Sequence, residues 1–451
     1  MSMIKVLPKN LIALANKLDK PLYLVGGSVR NYLIDGSLSG DLDVCASIPV
    51  QQFVQVVEDC GLKVRATYPR TGTVLFIDGD KLYEYTAFRR ERYVGGEHTP
   101  EYTEFTEDIC EDAIRRDFKC NAIYYDIKNQ KIVDVLGGVE DIKAKRLDTV
   151  REPEKVFCSD GLRLMRLARF CGELNFKPTK EVLEAAEKYA CNILDISPER
   201  IYAELKMILN SDKKYHFSDP MGHYNGLKIL SETRVLDNII PELTAGRNME
   251  QRKDFHKYDV LEHSLRTVLY SKPNVRLSAL LHDVGKPFCL LRDGRYHKHG
   301  DEGVFIAQKV LKRLKADNQA IEKVKFLVKA HMLDLDLRMR ENKIRRFIVD
   351  NYQHIEDLLN LKQADYMAGM DKQDASPTIT KWLKIIEDMK SEGVPFSFKE
   401  LAITSADLMQ IGFKGKSIGK MLKELFDYCV INPKQNQKQI LVNKAQKAFN
   451  R

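Results

Sequence analysis

The chain has 451 residues, with 72 Lys+Arg against 64 Asp+Glu, 44% hydrophobic and 30% charged residues. That length suits about two to four domains, and the mix of apolar and charged side chains excludes wholesale disorder. No apolar run reaches the roughly 20 residues that cross a bilayer. Met1 to Pro8 lacks the apolar core of a signal peptide, and the nine cysteines form no Cys-x-x-Cys pair. A cytoplasmic setting without disulfides or structural zinc is therefore expected, with no membrane and no obligatory protein partner.

In chain order, apolar spacing predicts a helix over Leu11–Leu18 and a strand over Leu22–Val25 that runs into Gly26-Gly27. A helix follows over Val29–Ile34, a strand over Asp41–Cys45 and a helix over Val50–Cys60. Thr73–Ile77 and Leu82–Phe88 read as strands around the Asp78-Gly79-Asp80 turn, and Ala122–Asp126 with Lys131–Val135 as a closing hairpin. Between them, Arg89 to Ile114 reads as a long polar loop. Beyond Asp160 apolar residues recur at helical spacing, as in Leu162, Met165 and Phe170 or Ile201, Leu205 and Ile208, with prolines as breaks.

The expected fold class is α+β, an α/β head on a long all-helical body. The expected domains are a head over 1–150, a helical neck over 151–245, a second helical domain over 246–375 and a helical tail over 376–451. From Gly412 to Arg451 nine Lys/Arg face only Glu424 and Asp427. Such a basic segment suits contact with a phosphate backbone, although a solvated helical face explains it as well.

The sharpest chemical feature is Asp41-Leu42-Asp43. On a strand, residues i and i+2 share a face, so both carboxylates can reach one cluster of hard cations while Leu42 turns into the core. An isolated Asp-x-Asp is commonly a turn or an exposed edge. Here it follows Gly26-Gly27-Ser28-Val29-Arg30, a glycine pair at a helix start, where the backbone can approach a phosphate and free N–H groups bind anions. Glu84, on the Leu82–Phe88 strand, offers a third carboxylate. Arg115, Arg116 and Asp117 set two cations beside an anion, and Asn121 can bond ribose or backbone.

These stretches resemble the class II tRNA nucleotidyltransferase and poly(A) polymerase family, within the polymerase-β-like nucleotidyltransferases. Its G-G-x-V-R-D stretch appears as Gly26-Gly27-Ser28-Val29-Arg30-Asn31, with Asn31 in place of the Asp. Arg115-Arg116-Asp117-Phe118-Lys119-Cys120-Asn121-Ala122 is similar to R-R-D-F-x-x-N-A, and Asp160, Arg163, Arg166, Arg169 and Phe170 to D-x-x-R-x-x-R-x-x-R-F. Glu199, Arg200 and Glu204 match E-R-x-x-x-E. The resemblance implies Mg²⁺ at Asp41 and Asp43, with Glu84 as a further catalytic carboxylate, nucleotide binding by Gly26, Gly27, Ser28, Arg30, Arg115, Arg116, Asp117, Asn121, Asp160, Arg163, Arg166 and Arg169, and addition of C and A from CTP and ATP to the 3′ end of tRNA, releasing pyrophosphate.

Cytosine and adenine each present an amine donor beside a ring-nitrogen acceptor, and uracil and guanine reverse that pattern. One carboxylate beside one guanidinium therefore accepts C and A and rejects U and G. Asp160 and Arg163, at i and i+3, are expected as neighbours on one helix face, and the resemblance gives them this selecting role. Ser159 stands where CCA-adding members have Glu, so poly(A), A-only or CC-only addition stays open. The polar stretch 89–114 resembles the family's flexible loop, which favours CCA or A addition.

Past residue 250 a second signature resembles an HD-type phosphohydrolase: His263, His282-Asp283 and Asp365 as ligands of a divalent transition metal, with His299 and His331 as accessory groups. The resemblance implies hydrolysis of cyclic or 2′-phosphates at RNA ends. A third reading makes the chain chiefly such a hydrolase that grips RNA.

Overall fold

The computed structural model describes residues 3–38, 42–92, 102–254 and 256–450. It divides the chain into two compact units, Met1–Thr244 with Arg313–Ala316, and Ala245–Lys312 with Asp317–Arg451. Asp41 and residues 93–101, the middle of the expected loop, lie outside the described residues.

The first unit begins with α1 (Lys9–Lys17), β1 (Tyr23–Val25), α2 (Gly27–Asp35), β2 (Leu42–Ala46), α3 (Val50–Asp59), β3 (Lys63–Tyr68), β4 (Thr73–Asp78) and β5 (Lys81–Ala87). It continues with β6 (Arg89–Arg92), β7 (Tyr102–Phe105), α4 (Ile109–Ile114), β8 (Ile123–Asp126) and β9 (Lys131–Asp134). Seven strands form one sheet in the order β3-β4-β5-β2-β1-β8-β9. Only β2 and β5 run parallel; the other neighbours are antiparallel.

Alternation along the strands sorts the side chains onto two faces. Leu42, Val44, Tyr83 and Tyr85 turn to one side, where α3 stacks Phe53 on Tyr85 at a ring separation of 3.6 Å. Val25, Cys45, Ala122 and Tyr124 join Ala113 of α4 and Val156 in a core cluster on the other side. Asp43 and Glu84 share that second face but stand exposed, beyond the end of the packed cluster.

Two differences from the sequence reading stand out. Strand β3 carries Lys63, Arg65 and Thr67 and is half-exposed at the sheet edge, so it lacks an apolar alternation. The expected loop is structured at both ends: β6 pairs with β7, Arg90 holds Glu104 at 2.9 and 2.6 Å, and α4 follows. Gly72, at φ 70°, leaves room for the Phe105 ring that seals this ribbon onto the sheet.

Apart from a short parallel pairing of Arg146–Leu147 with Lys177–Pro178, the rest of the unit is helical: α5 (Gly138–Lys143), α6 (Pro153–Ser159), α7 (Leu162–Leu174), α8 (Lys180–Lys188), α9 (Pro198–Leu209), α10 (Gly222–Glu232), α11 (Val235–Ile239) and α12 (Pro241–Thr244). Helix α7 is almost wholly buried between α9 and α10. It can be so because Gly172 and Gly222 let the α7 and α10 backbones touch: a Cβ on Gly172 would lie 2.5 Å from the Gly222 carbonyl oxygen.

The second unit contains α13 (Val260–Tyr270), α14 (Arg276–Leu281), α15 (Lys286–Asp293), α16 (His299–Arg313), α17 (Asn318–Ala330), α18 (Glu341–Asp350), α19 (Tyr352–Met370) and α20 (Pro377–Ser391), closed by α21 (Ser405–Ile411), α22 (Lys416–Ile431) and α23 (Lys438–Phe449). Helices α13, α14, α17 and α19 pack on one another. Trp382 is fully buried and donates its indole N–H to Asp334 at 2.9 Å. Among the described residues, no helix is long and apolar enough to cross a membrane.

Gly172→Ala gains about 1 kcal/mol of helix propensity, but forces a methyl against a backbone carbonyl that cannot swing away, at a cost of about 1–3 kcal/mol. The balance is destabilising, and we expect a lower melting temperature in thermal unfolding. An unchanged or higher one would mean that α7 and α10 do not meet at these glycines.

Candidate functional site

Asp43 aligns with Val25 on one side and with Glu84 on the other, so β1, β2 and β5 place the two carboxylates in adjacent register positions on one open face. Gly26, just past β1 at φ 77°, lies against this pair: a Cβ there would be 3.4 Å from Asp43 Oδ2. Gly27 opens α2, and Ser28 donates its hydroxyl to the Val25 carbonyl at 3.2 Å. Exposed carboxylate oxygens beside a glycine-lined helix start are the hard donors Mg²⁺ takes while its shell is completed by phosphate and water.

Arg30 does something other than the sequence suggested. It is 2% exposed, and its guanidinium donates to Asn121 Oδ1 at 2.5 Å, to Asn31 Oδ1 at 2.9 and 3.2 Å, and to the Tyr215 hydroxyl at 3.1 Å. It also lies over the Phe170 ring at 5.3 Å. Arg30 is thus an internal strut between α2, Asn121 and the helical part. The amide oxygen of Asn31 serves as its acceptor.

The other arginines surround two buried carboxylates. Asp112, on α4, accepts from Arg115 Nε at 2.8 Å, from Arg116 Nη2 at 2.9 Å and from the Tyr124 hydroxyl at 2.8 Å. Burial pushes its carboxyl up, but Arg116, Arg115 and Tyr124 outweigh this and hold it at about 2. Asp117 accepts from Arg166 at 2.7 Å, from the Phe118 N–H at 2.8 Å and from Asn121 at 3.3 Å. Burial raises it, while Arg166 and Arg163 bring it down to about 2. Arg169 pairs with Glu204 at 3.0 Å and lies over Phe170 at 4.6 Å.

Asp160 and Arg163 are not on one continuous helix. Asp160 caps the end of α6 in an extended conformation, φ −156° and ψ 107°, and α7 begins only after Gly161. Just past the break, Gly161 sits against the Asn192 carbonyl, too close for any Cβ. Asp160 Oδ1 accepts the Leu162 N–H at 2.9 Å, as an N-terminal cap does. Arg163 is buried and fixed by three neutral acceptors: the Ser159 hydroxyl at 2.9 Å, the Val156 carbonyl at 3.3 Å and the Arg115 carbonyl at 2.6 Å.

Sequence reasoning missed Asp112, Tyr124 and Tyr215. For Asp112 a signal existed, since it precedes Arg115 and Arg116 by three and four residues, the spacing of helical neighbours. For Tyr124 and Tyr215 none existed, because their partners are distant in sequence.

The second unit gathers another cluster. His263 comes from α13, His282 and Asp283 follow α14, His299 opens α16, His331 follows α17 and Asp365 lies on α19. His263, His282 and Asp283 place ligand atoms within 4.8 Å of one another, and so do Asp283, His299 and His331. Asp365 Oδ1 is 3.0 Å from His263 Nε2 and 3.6 Å from His282 Nε2. Lys286 reaches Asp283 Oδ2 at 2.6 Å and Gln251 at 2.6 Å. Gly285 permits the assembly, since a Cβ there would strike the His299 carbonyl and hold α16 away.

The ring orientations test whether a cation fits. His282, His299 and His331 each place Nδ1 2.7–2.8 Å from a backbone carbonyl, which can only accept. Nδ1 therefore carries the hydrogen, and Nε2 of the neutral ring is a lone pair facing inward. Yet His299 Nε2 lies 3.2 Å from His331 Nε2, and His282 Nε2 lies 3.3 Å from His263 Nε2. Such pairs need a proton or a cation between them. Burial pushes His331 down to about 4, which keeps it neutral, while His282, penalised by burial, is raised by Asp283 and Asp365. Imidazoles and carboxylates in this arrangement fit a divalent transition metal.

Residues 22–148 match the Poly A polymerase head domain. Residues 175–246 match a probable RNA- and SrmB-binding site of polymerase A, and 305–445 a putative second domain of tRNA nucleotidyltransferase. The A-adding tRNA nucleotidyltransferase of Deinococcus radiodurans is 31% identical over 77% of this chain and 76% of its own length. The CC-adding tRNA nucleotidyltransferase of Thermus thermophilus is 27% identical over 90% of this chain and 89% of its own. Among solved structures, the Bacillus stearothermophilus CCA-adding enzyme in complex with CTP shares the fold, with a TM-score of 0.67 at 21% identity over 98% and 97% of the two chains. The Thermotoga maritima CCA-adding enzyme complexed with tRNA gives 0.63 at 17% identity over 99% and 97%. With motifs, fold and relatives in agreement, the chain belongs to the tRNA nucleotidyltransferase and poly(A) polymerase family and is a nucleotidyltransferase of the class II, CCA-adding kind.

Proposed function

We propose that the protein adds C and A from CTP and ATP to the 3′ end of tRNA in the cytoplasm, without a template. The observation that carries this reading is the in-register pair Asp43 and Glu84 on an open face beside Gly26. Asp41, Asp43 and Glu84 would hold Mg²⁺, which in a two-metal arrangement supplies activation of the terminal hydroxyl and charge neutralisation for the departing pyrophosphate. Gly26 and Gly27 let the triphosphate approach the start of α2. Arg115 and Arg116 oppose its negative charge, and Asp117 with Asn121 fixes the floor beneath the ribose. Arg30 supports this floor from inside. Asp160 and Arg163 read the Watson–Crick edge, with Arg166 and Arg169 bracing α7. The basic C-terminal helices α22 and α23 grip the tRNA backbone.

Addition of A alone is the second reading. It is favoured by the A-adding relative and by the fixed guanidinium of Arg163. Purified protein with tRNA ending at the discriminator base, at C or at CC, and each NTP separately, distinguishes them: extension of all three ends supports CCA addition, and extension of the CC end alone supports A addition.

The histidine cluster supports a metal-dependent phosphohydrolase that trims cyclic or 2′-phosphates from RNA ends. Asp365, His263, His282 and Asp283 would hold the metal, which supplies a bound water of lowered pKa, and Lys286 keeps Asp283 ionised.

Asp43→Ala should cut nucleotide incorporation at least about a hundredfold while the melting temperature holds; near-normal incorporation would remove Asp43 from the metal site. Asp160→Ala should raise UMP and GMP incorporation relative to AMP by about tenfold to a hundredfold, the discrimination one bidentate contact gives. An unchanged four-nucleotide profile would count against this pair as the reader. For the cluster, His282→Ala should lose bound transition metal in elemental analysis and lose hydrolysis of 2′,3′-cyclic phosphates; wild-type protein that retains no metal would end that assignment.

A further inference from the structure

We propose that Asp112 is a positioning residue that orients the triphosphate-facing arginines and, through Arg115, the base-reading Arg163. The proposal rests on the nucleotidyl-transfer reading above and assigns a residue outside the motifs that define it.

Asp112 is 0% exposed. Burying a carboxylate is costly unless its lone pairs are filled, and here they are filled from two directions. Oδ1 takes Arg115 Nε at 2.8 Å. Oδ2 takes Arg116 Nη2 at 2.9 Å, Arg116 Nε at 3.3 Å and the Tyr124 hydroxyl at 2.8 Å. Both arginines keep part of their side chains open, 14% for Arg115 and 17% for Arg116, so a ligand can reach what Asp112 aims.

Two links extend its influence. The first runs along the main chain, since the carbonyl of Arg115 accepts Arg163 Nη2 at 2.6 Å. One carboxylate thus fixes the side chain of the residue whose backbone fixes the selecting guanidinium. The second runs through the sheet. Tyr124 is in register with Val25, and Val25 with Asp43, so the hydroxyl that donates to Asp112 stands on the strands that carry the metal-binding edge. Cys45, two residues along from Asp43 on the same face, lies in the field of Asp112, Arg116, Arg115 and Asp43 together. The triphosphate arginines, the base reader and the carboxylate edge therefore share one anchor.

A residue that merely stabilised the fold would change the melting temperature without changing the choice of base. Asp112→Asn keeps the shape but turns an N–H group toward a guanidinium, and Tyr124→Phe removes one hydroxyl while keeping the ring beneath Arg116. We measure the Kd for ATP by equilibrium binding, the UMP to AMP incorporation ratio on tRNA ending in CC, and thermal unfolding. For Asp112→Asn both the Kd and the ratio should rise about tenfold, and for Tyr124→Phe both should shift the same way by less. A folded Asp112→Asn variant with wild-type Kd and ratio would overturn the proposal. If that variant does not fold, Tyr124→Phe decides: a shift in both supports it, and no shift overturns it. Wild-type protein that binds ATP but extends no tRNA would sink the transfer reading alone, with the Kd comparison still deciding for Asp112; wild-type protein that binds no ATP would overturn both.

Discussion

Guanidinium groups buried beside buried acids are the constraint on which the first unit depends. Asp112 and Asp117 are each 6% exposed or less, and Arg115, Arg116 and Arg166 close around them. A charge removed from water must meet partners in good geometry, and removing one partner leaves the other stranded. That penalty makes the arrangement rigid. Asp112 and Asp117 stay ionised in spite of burial because arginines face them. The arginines keep their orientation because those carboxylates cannot move. Such a network contributes direction more than stability.

Much of this was legible in the sequence because local patterns carry it. The strand with Asp43, the glycine pair ahead of it and the strand with Glu84 follow from two-residue alternation and turn residues, and β2 and β5 align Asp43 with Glu84. The helical character after residue 160 follows from apolar spacing. What was not legible depends on distant partners. Arg30 looked like a phosphate donor until its neighbours Asn121 and Tyr215 arrived from remote segments. Asp160 and Arg163 had helical spacing, but Asp160 is extended between two helices, and the Asn192 backbone that packs at Gly161 comes from a later segment. Strand β3 is held by pairing with β4 rather than by its own apolar pattern.

The helical unit teaches the same lesson differently. His282-Asp283 was conspicuous because the two are adjacent, whereas His299 and His331 were placed only as accessories. In the fold they face Asp283 Oδ1 at 3.2 and 3.6 Å, so one carboxylate is shared by two sets of imidazoles. Gly285 is what brings them there, and its role is steric: it marks where two backbones must pass.

The break at Asp160–Gly161 carries a mechanical consequence. The carboxylate sits at the end of α6, and the guanidinium, carried by α7, reaches back to Ser159 and Val156 of α6, so the two are held across the break. Were this pair to read a base, residues that prop the break, such as Asn192, would share in setting its geometry.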